Sequence, residues 1–144
     1  MKSTFKRIRK RNLFKEEKRV LYHIGKKTYC NLTISIVFPK IMPSELITRL
    51  FKRFKYCSMS YTENGPMWVI KIDAVATCLD SDTFDEKKGK TVAYSNAQAK
   101  AYNIAKRIYS VMADYYAEQQ QEYENRCQTM IGYLNREMNF LDGM

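Results

Sequence analysis

Four carboxylates lie close together in residues 79–86, just before the last helical stretch of the sequence: Asp80, Asp82, Asp85 and Glu86. Magnesium ions prefer such hard oxygen ligands, and two-metal nucleases gather them beside the scissile phosphate. The metal ligands of such a nuclease would be Asp73, Asp80 and Asp82. The alternative needs no metal, because Asp82 as N-cap, with Asp85 three residues on, would complement the positive end of the helix. We favour the capping interpretation and expect neither a metal site nor a cofactor.

Nucleophilic and acid–base catalysis have few candidate residues in this sequence. His23 is the only histidine, so a catalytic triad or a histidine relay would depend on it alone, and its place on a predicted strand favours packing or exposure at a sheet edge. No G-x-S-x-G, P-loop or dinucleotide-binding motif occurs. Cys30, Cys57, Cys78 and Cys127 form no C-x-x-C pair, and we interpret them as small core residues in a reducing cytoplasm. We therefore expect a protein that is not an enzyme.

Positive charge is concentrated at the start of the chain. Eleven of the 25 Lys and Arg residues lie in residues 1–30, opposed only by Glu16 and Glu17, so this stretch holds +9 of the net charge of +10. Such a density attracts a polyanion: nucleic acid through counterion release, an anionic membrane surface, or an acidic protein. We favour nucleic acid, either DNA or RNA.

Three cationic elements would contact the phosphate backbone: the N-terminal arm, one face of the first helix, and a cluster before the last helix. Ordinary solvated charge is the alternative interpretation of the helix face. The predicted nucleic-acid-binding residues are Lys6, Arg7, Arg9, Lys10, Arg11, Arg49, Lys52, Arg53, Lys87, Lys88 and Lys90. Tyr29, Tyr56 or Tyr61 on an open sheet face would be able to stack bases, but we favour core or cross-strand packing as the use of these rings.

The elements that position these residues follow from the hydrophobic pattern. Two strands, Val20–Ile24 and Tyr29–Phe38, are predicted around the Gly25 turn, and the second alternates as a strand with one buried face does. A helix begins at Pro43 or Ser44, and a hairpin joins Tyr56–Thr62 to Met67–Cys78.

The last third of the chain carries apolar residues at helical spacing. One helix from Thr91 to Leu141 would be about 75 Å long at 1.5 Å per residue, which exceeds the size of such a domain. Either the helix breaks near Gln119–Gln121, or its second half pairs with another chain through a stripe that runs from Tyr123 to Leu141.

These elements predict an α+β fold, a small antiparallel sheet of three to four strands packed on helices with a C-terminal helical extension. We divide the chain into a basic arm (1–19), an α+β domain (20–118) and a C-terminal helix (119–144) for packing or oligomerisation. No apolar run approaches the roughly 20 residues needed to span a bilayer, so we expect no transmembrane helix. The basic start is not followed by an apolar stretch, so we expect no secretory signal.

Two resemblances bear on function. The spacing of Asp82, Phe84, Asp85, Gly89, Ala93, Ala97 and Lys100 resembles a segment of small uncharacterised phage and mobile-element proteins. Residues 30–112 resemble the strand and helix unit of double-stranded-RNA-binding domains, although the helix here follows the first strand. The first resemblance implies a bacteriophage accessory protein, located in the host cytoplasm or the virion. The leading hypothesis is therefore a nucleic-acid-binding accessory protein; the alternative is a virion or host-takeover component that docks on an acidic partner.

Overall fold

The part of the chain that the structure describes folds into a four-stranded antiparallel sheet with two helices. In chain order the elements are β1 (Lys15–Ile24), β2 (Lys27–Val37), α1 (Ser44–Arg53), β3 (Ser58–Thr62), β4 (Gly65–Thr77) and α2 (Glu86–Asp142). The order of strands in the sheet is β1-β2-β4-β3. The computed structural model describes residues 14–39, 41–55, 57–62, 65–78 and 85–144. The predicted α+β class is confirmed, as are the predicted hairpin around β3 and β4 and the helix start at Pro43–Ser44.

β1 starts earlier than the sequence predicts, at Lys15, within residues assigned to the basic arm. Its alternation is hidden because β1 is an edge strand with most of its side chains exposed, and its register against β2 shifts between Glu16 and Lys18. A two-residue turn, Gly25-Lys26, connects it to β2. Gly25 has φ +61°, a conformation that glycine adopts without steric cost.

The core lies on one face of the sheet, under α1 and the first part of α2. Trp68 of β4 is fully buried, and its ring contacts Phe38, Phe51 and Phe54 at centroid distances of 5.3, 5.5 and 6.2 Å. Phe54 directly follows α1, so this aromatic cluster anchors the end of that helix on the sheet. The other fully or nearly buried residues of this face are Cys30, Leu32, Ile34, Ile36, Leu46, Leu50, Ile70 and Ile72.

α2 begins with a side-chain cap at Asp85. The Oδ1 atom of Asp85 accepts hydrogen bonds from the backbone N–H groups of Lys87 (3.0 Å) and Lys88 (3.2 Å). The prediction that Asp82 caps this helix is therefore wrong in position: the helix starts at Glu86, so its orphan N–H groups lie within reach of Asp85. Asp82 itself lies outside the described residues.

Small residues let α2 approach the sheet closely. Ala93, Ala97 and Ala101 are fully buried at successive turns of the helix. Between these alanines, Asn96 and Lys100 donate hydrogen bonds to the backbone oxygens of Val75 (3.1 Å) and Asp73 (2.7 Å). The helix therefore runs antiparallel to β4, and its side chains occupy carbonyl groups on the part of that strand beyond its pairing with β3.

α2 continues without interruption through Gln119–Gln121 to Asp142, so a break at the glutamines, the first of the two alternatives, is wrong. The chain divides into two compact units within this helix, between Ile108 and Tyr109, earlier than the 118/119 boundary inferred from the glutamines. In the second unit every residue from Gln120 to Met144 is exposed. Burial therefore does not explain the apolar residues of that segment.

Candidate nucleic-acid interface

The sheet presents two different faces because side chains alternate along each strand. Even-numbered residues of β2 and β4 face the helices, and odd-numbered residues face the other side together with their partners in β1. We call this second surface the open face. Starting from the β1–β2 turn, its first four rows are Ile24, Lys27 and Thr77; Tyr22, Tyr29 and Val75; Val20, Asn31 and Asp73; and Lys18, Thr33 and Lys71.

A stacked pair of tyrosines lies on the open face. Tyr22 and Tyr29 are direct cross-strand partners, with ring centroids 5.1 Å apart and an angle of 11° between the planes. Tyr22 is 39% exposed on the edge strand, and Tyr29 is half-buried beside Val75, which is 43% exposed. The three side chains form one aromatic and aliphatic row across three strands. Bases of any identity stack on aromatic faces of this kind.

Lysines flank the tyrosine pair on both sides. Lys27 lies two residues before Tyr29 in β2, about 6.6 Å along the strand on the side of the turn. Lys18 and Lys71 both lie opposite Thr33, on the other side of the pair. All three lysines are exposed, and none of them forms an ion pair within the described part of the chain. Their ammonium groups are therefore free to contact phosphate oxygens.

Two carboxylates also belong to this side of the sheet. Glu17, at the register shift of β1, accepts a 2.7 Å hydrogen bond from the Ser35 hydroxyl. Asp73 is exposed, and it lines a shallow groove at the β4 edge together with two lysines, Lys71 and Lys100. The Lys100 ammonium donates to the backbone oxygen of Asp73 at 2.7 Å, so this lysine is fixed at the edge of β4.

The predicted cations of the two helices lie on the opposite side of the sheet from the open face. Lys52 and Arg53 are exposed in the last turn of α1, and Arg49 is partly engaged with Glu45 at 3.6 Å. Phe51 and Phe54 of this segment contact Trp68 on the helix-covered face, which places α1 on that layer. The structure therefore does not combine the α1 cations and the tyrosine pair into one surface.

The cations of α1 and those at the start of α2 are also far from each other. The Arg107 guanidinium lies 5.4 Å from the centre of the Phe54 ring, so it adds a cation beside those of α1. Nothing in the sequence indicates this proximity. Lys90 precedes Arg107 by 17 residues on the same helix, which is about 25 Å. Because α2 is antiparallel to β4, exposed Lys87, Lys88 and Lys90 lie toward the β1–β2 turn.

The remaining predicted residues either lie outside the described part of the chain or lack the neighbouring ligands that a metal site needs. Lys6, Arg7, Arg9, Lys10 and Arg11 of the arm lie outside the described residues, as do Asp80 and Asp82. Within the described ranges no group of three or more His, Cys, Asp or Glu side chains is placed to hold a metal ion. Asp85 is engaged as a helix cap, so the nuclease hypothesis has only Asp73 with a described position.

The tyrosine pair of the open face contains one residue that the sequence analysis names and one that it does not. Tyr29 lies on the open face and packs against its cross-strand partner Tyr22, which is the favoured use of these rings. Tyr56 lies outside the described residues, and Tyr61 of β3 pairs with Pro66 of β4. Tyr22 was missed. The signal that identifies it is the turn: with two residues in the loop, Ile24 pairs with Lys27, which makes Tyr22 the partner of Tyr29.

The single histidine and the cysteines are placed differently from one another. His23 Nδ1 shares a 2.8 Å hydrogen bond with the Thr28 hydroxyl and is half-buried, in agreement with a packing role. Cys30 and Cys57 are buried as predicted, and burial raises the pKa of the Cys57 thiol to about 11. Cys127 is exposed, so its assignment to the core is wrong; it lies in the segment of α2 where no residue is buried.

Comparison with models of protein families, with curated proteins and with solved structures gives no match for this chain. In the part of the chain that the structure describes, no helix is both long enough and apolar enough to cross a membrane.

Proposed function

We propose that the chain is a non-enzymatic nucleic-acid-binding accessory protein whose open face holds unpaired bases. The observation that carries this proposal is the stack of exposed Tyr22 on half-buried Tyr29, with lysines on both sides. Stacking supplies affinity that tolerates any base, and the lysines neutralise phosphates of the same strand. The basic arm would add further phosphate contacts.

Single strands are favoured as the ligand because the tyrosines offer ring faces. In a duplex the base faces are covered by their neighbours, and only edges and backbone are accessible. The exposed outer side of Tyr22 at the sheet edge admits a base that has left the stack. The α1 cations lie on the other side of the sheet and form a separate basic surface.

The test measures binding of labelled single- and double-stranded DNA and RNA to the full chain and to Tyr22→Ala and Tyr29→Ala. Stacking is worth about 1–3 kcal/mol per base, so each substitution should weaken single-strand binding about 5- to 150-fold. Tyr133→Ala is the matched control, since Tyr133 is 51% exposed but lies on the C-terminal part of α2. Equal affinities for all three variants, or binding of duplex only, would contradict the proposal.

A second candidate function is a virion or host-takeover component that works through protein contacts. It is favoured by the exposed apolar residues of α2 beyond Gln120, among them Met130, Leu134 and Leu141 at 58–65% exposure. The same binding series separates the candidates, because a pure interaction component would bind none of the four nucleic acids at low salt.

A further inference from the structure

The C-terminal part of α2 carries an apolar stripe that is exposed along its whole length. Tyr123, Met130, Leu134, Met138 and Leu141 retain between 52% and 65% of their surface, and Cys127 between them is also exposed. Six side chains of this size on one side of a helix are far more than isolated surface residues. We call these six residues the C-terminal stripe.

The stripe follows an 11-residue repeat. Tyr123, Cys127 and Met130 recur eleven residues later as Leu134, Met138 and Leu141. Eleven residues in three turns correspond to 3.67 residues per turn, close to the 3.6 of a straight helix. The stripe therefore stays on one face of α2 for its whole length, as a seam between two helices requires.

The stripe is also nearly symmetric on reversal of the chain direction. Reversal about residue 132 exchanges Tyr123 with Leu141 and Met130 with Leu134, and brings Cys127 within one residue of the position of Met138. Two copies of the segment placed antiparallel would therefore match apolar residues directly at 123/141 and 130/134 and set Cys127 one residue from Met138 of the other copy.

The charges beside the stripe are complementary in that arrangement. In an antiparallel pair related by a two-fold axis, each flank of one helix meets the same flank of the other. Arg126 and Glu137 lie eleven residues apart on one flank, so Arg126 of each copy meets Glu137 of the other. Arg126 already pairs with Glu122 of its own helix at 2.6 Å, so Glu137 would be its second acidic neighbour. On the opposite flank Glu124 and Asp142 have like charges, but Asp142 is the last helical residue, where solvent screens the pair.

A parallel pair is less favourable on the same residues. It would place Glu137 beside Asp142 of the second copy, twice in the dimer. Arg126 would meet no acidic side chain of the second copy. It would also bring Cys127 opposite Cys127 of the second copy. This last difference makes the two orientations distinguishable by experiment.

We propose that the C-terminal stripe binds the stripe of a second copy of this chain as an antiparallel helix pair centred near residue 132. The inference is independent of nucleic-acid binding, because it uses a separate segment of the chain. The partner of the stripe is a second copy of the same chain. Read in the opposite direction, the same segment presents apolar residues to the stripe and opposite charges to Arg126 and Glu137.

The first test measures the mass of the full chain by sedimentation. We expect a dimer that becomes a monomer in the double variant Met130→Glu/Leu134→Glu. The matched control is Gln128→Glu/Asn139→Glu, which adds the same charge on the opposite face of the same helix and should remain a dimer. A monomeric wild-type chain at 100-fold excess over typical assay concentrations, or an equal loss in both variants, would overturn the proposal.

The second test determines the orientation by oxidative cross-linking in a Cys78→Ser background, with the buried Cys30 and Cys57 retained. Position 137 faces Cys127 of the other copy in the antiparallel pair, so Glu137→Cys should give a disulfide-linked dimer. Within one chain the two positions are ten residues, or about 15 Å, apart, too far for a bridge. Cross-linking of the parent through Cys127 alone, or none in either chain, would refute the antiparallel arrangement.

Discussion

Neutralising Lys18, Lys27 and Lys71 together, each to Gln, removes three cations that flank the tyrosine pair while keeping side-chain length. Each phosphate contact to a single strand contributes about 0.7 to the slope of log Kd against log salt. Three contacts therefore account for a slope of about 2.1, which between 50 and 200 mM salt corresponds to about a 20-fold change in affinity. The variant should show a salt dependence that is shallower by that amount.

The matched control is the Gln variant of Arg49, Lys52 and Arg53, which removes the same formal charge from the other side of the sheet. Fluorescence anisotropy of a labelled single strand at five salt concentrations gives both slopes. If net charge alone controlled binding, the two variants would lose the same slope. A loss confined to the α1 variant would refute the open face as the site, and an unchanged slope in the open-face variant would refute the lysine contacts.

Two further predictions concern the fold. Ala97→Leu should lower the free energy of unfolding by about 1–3 kcal/mol because it overpacks the contact between α2 and the sheet, while exposed Ala99→Leu should leave it nearly unchanged; urea denaturation measures both. For the thiols, Cys127 should react with a thiol reagent at once at pH 8 and buried Cys57 only on unfolding. Since the pKa of Cys57 is raised from 9.0 to about 11, stability should fall as pH rises from 9 to 11, where only the unfolded thiol ionises; pH-independent stability over that range would contradict this.

Local patterns predicted the elements well where one face is buried. The alternation of buried and exposed residues identifies β2 and β4, and the spacing of Leu46 and Leu50 identifies α1. Each pattern involves only residues that are close together in the sequence. They identify the second half of β1, residues 20–24, but not residues 15–19, which carry charges on both faces and have no alternation to detect. They also fail at the helix cap, since Asp82 and Asp85 are equivalent in sequence until the start of α2 is known.

The sequence by itself determined the class of the fold, the concentration of positive charge and the 11-residue repeat of the C-terminal stripe, since these depend on composition and on contacts between near neighbours. Only the tertiary structure decided which residues meet. The β1–β2 register brought Tyr22 onto Tyr29, the packing of α1 on Trp68 separated its cations from them, and α2 carried Arg107 to Phe54. The reason is that strand register and layer order are set by the burial of one whole sheet face, a long-range condition that no single segment of the chain encodes.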